Sequence, residues 1–436
     1  MTRLLLVALL LVCPSWACGD EVFEPPFRVE ADGAVIDTGK AWGHCGPCLE
    51  DLDDDGLPDL IVGDFGGKFA VYLNVGEPGA PRFQASGNVL AGTKEAEVRI
   101  YCCVGSQPRF VDLNGDGVRD FVSNSYDPGH CYFFPALAPG AFGEREELKD
   151  AAGVPIRSSP VQQQDYQSFG SFFTPVDWDA DGDFDLLVGC FDGHLKLRLN
   201  EGTATEPEFA TENTAIAAAG EPLKVEAHNC PAVADWDGDG LWDLICGSDD
   251  GSVTWFRNTG TKTEPQFAAG ETLVAAYEGD DKGYNISYLD DAEIVPGIRS
   301  QPEVADWNGD GKLDLIVGDF CTAYDFRADL TDEEKQQVRD LMASTSEASK
   351  AFADKMQALR DSFAEKYPGD AVFSDEADKE WAEAYQKLQE SPEAKAREAA
   401  ADDFAEKMRP YLASTRGDQN YNLAKSHGYV WVFLRK

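Results

Sequence analysis

Five segments of the chain share one spacing of oxygen-bearing residues. They are Asp51-Leu52-Asp53-Asp54-Asp55-Gly56-Leu57-Pro58-Asp59, Asp112-Leu113-Asn114-Gly115-Asp116-Gly117-Val118-Arg119-Asp120, Asp177-Trp178-Asp179-Ala180-Asp181-Gly182-Asp183-Phe184-Asp185, Asp235-Trp236-Asp237-Gly238-Asp239-Gly240-Leu241-Trp242-Asp243 and Asp306-Trp307-Asn308-Gly309-Asp310-Gly311-Lys312-Leu313-Asp314. Side-chain oxygens at positions 1, 3, 5 and 9, with glycine at 6, let a tight loop turn several hard ligands toward one centre. A carbonyl from position 7 (Leu57, Val118, Asp183, Leu241 or Lys312) can complete the shell. Such all-oxygen sets suit Ca²⁺ and match a shortened EF-hand loop without its twelfth-position Glu. One copy would be an ordinary Asp-Gly turn; five in register point to about five bound calcium ions. Without metal, three or four carboxylates at one tip repel each other. Protein fills every ligand position, so the expected role is structural, and no catalytic residue is assigned.

The first aspartates of successive loops are 61, 65, 58 and 71 residues apart, one supersecondary unit per repeat. Apolar stretches flank each loop, as in Ala232-Val233-Ala234 and Leu244-Ile245-Cys246-Gly247, and read as buried strands of a hairpin. A Gly-rich turn and an alternating third strand follow, as at Asp249-Asp250-Gly251 and Val253-Thr254-Trp255-Phe256-Arg257. Pro81-Arg82-Phe83, Pro207-Glu208-Phe209 and Pro265-Gln266-Phe267 then open a fourth strand. Four antiparallel strands repeated radially make an all-β, five-bladed β-propeller. The N-terminal strand around Pro25-Pro26-Phe27 is expected to close it by completing the last blade, whose third strand is Gly428–Leu434.

Residues 321–426 break the pattern. They are rich in Ala, Glu, Lys and Gln, with Val338, Leu341, Met342, Phe352, Met356, Leu359 and Phe363 at helical spacing. Thr331-Asp332-Glu333-Glu334 is a capping box, Pro368-Gly369 ends the first helix, and Ser391-Pro392 opens another. This is an α-helical insertion in the last blade, its stripe forming its own core. The propeller comprises 18–320 and 427–436.

The unit Val233–Gly247, with relatives at 51–63, 112–122, 177–189 and 306–318, resembles the FG-GAP/VCBS repeat of integrin-α-type propellers. The resemblance implies calcium-binding blades and a binding role for the loops opposite the calcium. It names no ligand, and such repeats also occur in some polysaccharide-degrading enzymes.

Met1-Thr2-Arg3, the apolar run Leu4–Val12 and the small residues Ser15 and Ala17 form a secretory signal over 1–17. The protein is therefore expected to be exported, with Cys18 a possible lipid anchor. No later stretch offers about 20 uninterrupted apolar residues, so no transmembrane span is expected. The chain has 37 Lys+Arg against 79 Asp+Glu, a net charge of −42, which argues against nucleic-acid binding.

Export permits disulfides among the 11 cysteines. Hairpin logic sends His44, Cys45, Cys48, Cys102, Cys103, His130, Cys131, Cys190, His194, His228, Cys230, Cys246, Cys321 and His427 to the face opposite the acidic loops. Two readings of that face compete: disulfides, such as Cys102 or Cys103 with Cys131, or a transition-metal or redox centre built from His44, Cys45, His228 and Cys230; unpaired, incidental thiols are the remaining alternative. Trp42, Tyr101, Tyr126 and Phe169 are candidate contacts there. Three further signals have simpler readings. Cys45-Gly46-Pro47-Cys48 precedes a strand, not a redox helix; Arg416-Gly417-Asp418 is turn chemistry; Asn285-Ile286-Ser287 is a sequon only in a glycosylating host. The leading expectation is an exported, calcium-stabilised module that binds a carbohydrate or protein. The alternative is a polysaccharide lyase or hydrolase, or a metal-dependent redox protein.

Overall fold

The computed structural model describes residues 22–100, 106–158, 170–277, 289, 295–343, 347–367, 374–413 and 424–436. The signal segment, Cys18, Tyr101, Cys102, Cys103, Phe169, the sequon, Pro368-Gly369 and the Arg-Gly-Asp tripeptide lie outside them. The chain divides into two compact units, one of residues 1–286, 295–322 and 426–436, the other of 287–294 and 323–425.

The first unit is built on five antiparallel sheets, each turning through one acidic segment. Sheet 1 contains Gly46–Glu50, Asp59–Gly63, Phe69–Asn74 and Phe83–Asn88; sheet 2, Arg109–Val111, Asp120–Asn124, Cys131–Phe134 and Glu146–Glu147. Sheet 3 contains Phe172–Val176, Asp185–Gly189, Leu195–Arg198 and Thr214–Ala215; sheet 4, Cys230–Ala234, Asp243–Gly247, Val253–Phe256 and Glu271–Val274. Sheet 5 joins Ile298–Ala305, Asp314–Ala323 and Val430–Phe433 to Phe27–Arg28, with Phe27 opposite Val432 and Arg28 opposite Trp431.

The short apolar runs are buried on both sides because strand residues alternate. In Asp59–Gly63, Leu60 and Val62 pack with Ile316 and Val430, while Ile61 packs with Phe110 and Phe121. The core therefore lies between neighbouring sheets. The second loop position extends it. Trp178 lies 5.8 Å from Phe267, Trp307 5.7 Å from Phe83 and Trp236 6.1 Å from Phe23, each an aromatic ring of another sheet or its flank.

The glycine that ends the second strand has a steric cause. A Cβ on Gly318 would stand 2.6 Å from Pro47 Cδ, on Gly247 2.7 Å from Pro302 Cδ, and on Gly189 2.9 Å from Pro231 Cδ. Each would press still harder on the carbonyl oxygen at the head of the next first strand, that of Cys45, Ser300 or Asn229. Gly63 meets Ser106 in the same way. Proline is tolerated there because the first strand is a sheet edge whose outward N–H has no ladder partner. The exception is consistent: sheet 2 ends in Asn124, and Phe173 of sheet 3 takes the place proline holds elsewhere.

The Pro-x-Phe elements differ in part from expectation. Phe83 opens the fourth strand of sheet 1, but Phe209 and Phe267 make single bridges to Asn200 and Asn258, and the paired strands begin later, at Thr214 and Glu271. The turn before them is common to all three: Asn74, Asn200 and Asn258 Oδ1 accept from Gly76, Gly202 and Gly260 N (3.1, 3.0 and 2.9 Å) and from Arg82, Glu208 and Gln266 N (3.1, 2.8 and 3.1 Å).

In the second unit, α1 (Asp332–Ala343), α2 (Glu347–Lys366), α3 (Asp375–Gln389) and α4 (Pro392–Met408) are helical. Thr331 Oγ1 accepts from Glu334 N (3.2 Å) while Glu334 Oε2 accepts from Thr331 N (2.9 Å), and Ser391 caps α4. The stripe expected in one helix spans α1 and α2, and α3 is an addition to the two helices anticipated. Val338, Leu341 and Met342 pack with Phe404, Met408, Tyr411 and Leu412, and Phe363 sits edge-on to Trp381 at 5.0 Å. Val338, Leu341 and Met342 of the stripe are thus internal core. No helix among the described residues is long and apolar enough to cross a membrane.

Candidate functional site

The acidic loops are held by a backbone network that repeats in all five. At position 1, Asp51 accepts from Gly56 N at 2.9 Å, as do Asp112, Asp235 and Asp306 from Gly117, Gly240 and Gly311, and Asp177 from Gly182 at 3.4 Å. At position 5, Asp55, Asp116, Asp181, Asp239 and Asp310 accept from the N–H of position 7. Position 9 is buried. Asp59 takes the N–H of Leu52 (3.0 Å) on one oxygen and that of Asn74 (2.7 Å) on the other. Asp120, Asp185, Asp243 and Asp314 repeat this with Leu113 and Ala136, Trp178 and Asn200, Trp236 and Asn258, and Trp307 and Arg435.

Three groups bring carboxylate oxygens within 4.8 Å of one another: Asp51, Asp53 and Asp59; Asp177, Asp179 and Asp181; Asp235, Asp237 and Asp239. Asn114 and Asn308 hold the third position of the other two loops, accepting from Asp116 N (3.0 Å) and Asp310 N (2.9 Å), so the turn is kept with one charge fewer. The donor set fits a hard divalent cation. Oδ1 of Asp179, Asp183 and Asp235 are buried without a hydrogen-bond partner, and burial, then Asp181, Asp179 and Asp177, push the Asp183 carboxyl up. In the fourth loop Arg257 reaches Asp237 (2.5 Å) and Asp239 (3.3 Å), supplying part of the countercharge.

At the opposite ends of the strands lies a cavity of about 150 Å³ lined by His44, Phe65, Tyr126, Phe172, His228, Arg299, Ser300 and Gln301. Three of these hold a left-handed backbone: His44 (φ 58°), His228 (φ 51°) and Arg299 (φ 58°). They are equivalent positions. Each lies two residues before the one paired with the second strand's final glycine, as does Gly170 (φ 66°) of sheet 3. The fold therefore asks for a left-handed residue there. Glycine meets that demand freely, whereas a side chain costs about 1–2 kcal/mol.

Arg299 links the site. Its Nε donates to Asp249 Oδ1 (3.0 Å) and its Nη1 to His44 Nε2 (3.0 Å), while His228 Nδ1 is 3.5 Å from the same Asp249 oxygen. Burial, then Arg299 and His228, hold His44 well below the ordinary imidazole range; burial pulls His228 down to about 4 against the attraction of Asp249. Both rings are thus neutral near pH 7, and His44 is stacked between Phe65 (4.8 Å) and Phe320 (4.4 Å). Arg109 pairs with Glu303 and donates to the carbonyls of Pro231 and Pro302 (both 3.2 Å), while Gln107 Nε2 reaches those of Pro47 and Pro302 (both 3.0 Å). Side chains of sheet 2 thereby tie together the first strands of sheets 1, 4 and 5.

The FG-GAP-like repeat family matches residues 51–123 and 235–317. These two segments of the chain are FG-GAP-like repeats. No curated protein matches it. Among solved structures, a lectin from Agrocybe aegerita that specifically recognises non-reducing terminal N-acetylglucosamine is 20% identical over 64% of this chain and 62% of its own, with a TM-score of 0.33. BBS1N in complex with ARL6DN, soaked with mercury, is 12% identical over 66% of this chain and 69% of its own (TM-score 0.26); TcdB2-TccC3 is 16% identical over 69% and 15% (TM-score 0.31).

Of the residues assigned to the second face of the FG-GAP repeats, His44, His228 and Tyr126 line the cavity. The thiols do not. Cys45, Cys48, Cys131, Cys190, Cys230 and Cys246 are buried and unbridged, and among the described residues no histidine or cysteine joins a group of three able to hold a metal. Neither a disulfide nor a three-ligand His–Cys centre is seen among these described residues. Cys45, Cys48, Cys131 and Cys246 sit in apolar clusters between sheets, and Cys230 Sγ donates to Gln107 Oε1 at 2.9 Å. His130, His194 and His427 face Glu147 (3.0 Å), Asp192 (3.0 Å) and Asp37 (2.8 Å) instead. Trp42 is 71% exposed and does not line the cavity. Sequence reasoning missed Phe65, Phe172, Arg299, Ser300 and Gln301, although alignment of the five units would have placed Arg299 with His44 and His228.

Proposed function

We propose that the β unit is a five-bladed propeller closed by Phe27–Arg28, with structural calcium in the acidic loops. In this reading it belongs to an exported protein and binds the end of a carbohydrate or a protein group in the opposite pocket. Closure is supported by the Phe27–Val432 pairing and by Gly318 seated against the head of sheet 1. The calcium assignment rests on converging carboxylates with unpartnered oxygens.

One observation carries the binding role. Three of four described equivalent positions bear a strained His or Arg where glycine would serve, and all three side chains meet in one cavity. Strain of this kind is kept where side chains are needed. At about 150 Å³ the cavity falls below the ~300–1,000 Å³ of drug-sized sites, so it suits a single sugar or side-chain group. Glycan and peptide arrays probed with the wild-type chain and Arg299→Gln test it. A ligand lost on substitution supports the reading, and identical profiles for the two proteins refute it.

A further inference from the structure

We infer that Arg257 is a tethered cation seated in the fourth acidic loop, so that calcium enters this loop only by displacing the guanidinium. The inference rests on the calcium reading proposed above and says how one of the five loops departs from it. The loop backbone takes one oxygen of each carboxylate: Asp239 N donates to Asp237 Oδ1 (3.2 Å) and Leu241 N to Asp239 Oδ1 (3.0 Å). The guanidinium takes the others. Its Nε lies 2.5 Å from Asp237 Oδ2 and its Nη2 3.3 Å from Asp239 Oδ2. These are the third- and fifth-position oxygens that would turn to a metal. At the first position Asp235 Oδ2 accepts from Gly240 N (2.9 Å), while its Oδ1 is buried without a hydrogen-bond partner.

Comparison of the repeats shows that this cation belongs to one of them. Arg257 directly precedes Asn258, whose N–H donates to the ninth-position Asp243. In the same place elsewhere stand Leu73, Pro135, Leu199 and Leu434, before Asn74, Ala136, Asn200 and Arg435. All four are apolar, and Leu73, Leu199 and Leu434 pack against apolar clusters. The third loop departs in the other direction: its position 7 is Asp183, a fifth carboxylate, 4% exposed and with Oδ1 unpartnered. The Arg257 side chain is 47% exposed, so it can swing into water without disturbing its strand. Its departure restores the repulsion among Asp235, Asp237 and Asp239, whose oxygens lie within 4.8 Å of one another. A guanidinium that is out for a tenth of the time leaves the loop with an apparent affinity about tenfold below that of its own carboxylates. The fourth loop is thus partly neutralised at low calcium and fills with metal only as calcium rises.

The test is calorimetric titration of the chelator-stripped full chain with calcium chloride, with native mass spectrometry counting the ions bound at each concentration. Arg257→Leu, which copies three of the other repeats, should strengthen one site by about tenfold and so carry one more ion than the wild type at limiting calcium. Arg257→Gln, which removes the charge but keeps a polar head, should do the same; circular dichroism of both reports folding, and either variant alone decides the matter. The rise in melting temperature on adding calcium should be larger in the variants than in the wild type. Equal affinities and ion counts in all three proteins overturn the inference and leave calcium in the loops. Loss of an ion on substitution overturns it too, since Arg257 would then support the site. If none of the proteins binds calcium at millimolar concentrations, the calcium reading falls and this inference with it.

Discussion

Replacing Gly318 by alanine tests how the first and fifth sheets meet. The new methyl group would stand 2.6 Å from Pro47 Cδ, inside the 3.0 Å that real Cβ atoms respect, and its nearest neighbour is the backbone carbonyl of Cys45. A backbone strand cannot rotate aside as a flexible side chain can, so the sheets must separate by several tenths of an ångström along a packed interface. Overpacking typically costs about 1–3 kcal/mol, and a backbone obstacle places this case at the upper end, about 3 kcal/mol. A unit of about 320 residues unfolds with about 0.7 kcal/mol/K, so Tm should fall by about 4 °C. Gly247→Ala and Gly189→Ala, meeting Pro302 and Pro231, should behave alike. Gly66→Ala is the control, since its methyl would approach the Asp64 side chain at 3.1 Å. Thermal melts followed by near-ultraviolet circular dichroism give the comparison. If Gly318→Ala melts within 1 °C of Gly66→Ala while Gly247→Ala does not, sheets 5 and 1 are not in contact and the ring is open.

At the left-handed position of His228, glycine should be more stable than alanine by about 1 kcal/mol, reversing the usual order; denaturant unfolding of His228→Gly and His228→Ala would refute the strain if alanine wins. Calcium at 100 times its Kd should stabilise the unit by about 2.7 kcal/mol per site, and chelation should reverse this. Asp179→Ala should shrink that difference, whereas identical melts in calcium and chelator would remove calcium from the acidic loops. Burial lifts Asp319 from 3.8 to about 6, despite hydrogen bonds from Tyr429 N, Gly297 N and Trp431 Nε1. Its folded pKa lies above the unfolded one, so this contribution is full below pH ~4 and falls by about 3 kcal/mol as pH rises through ~6. Asp319→Asn should flatten the pH dependence by that amount between pH 4 and 7, and an unchanged slope would show that the carboxyl is not destabilised by burial.

Much of this was legible because it repeats. The acidic hairpins, the third strands and the capping boxes are local devices whose residues lie within a few positions of one another, as Thr331 and Glu334 do. For the cysteines the pattern indicates a strand end but not the side of the strand on which a thiol points; Cys45 and Cys246 point into apolar clusters. Arg299 was invisible for the opposite reason. It sits in the irregular start of its strand, between Ile298 and Gln301, without any motif, and its importance lies in a backbone angle shared with His44 and His228, residues far away in the chain.

The ninth-position carboxylates have a kinetic corollary. Both oxygens of Asp59, Asp120, Asp185, Asp243 and Asp314 hold backbone N–H groups from two elements, which ties each loop to the strands beside it. In the calcium reading proposed above, a cation meeting such a loop would find its cage preorganised and have little chain to order. Capture should then run near the rate at which the ion sheds water, leaving release to set how long each ion resides.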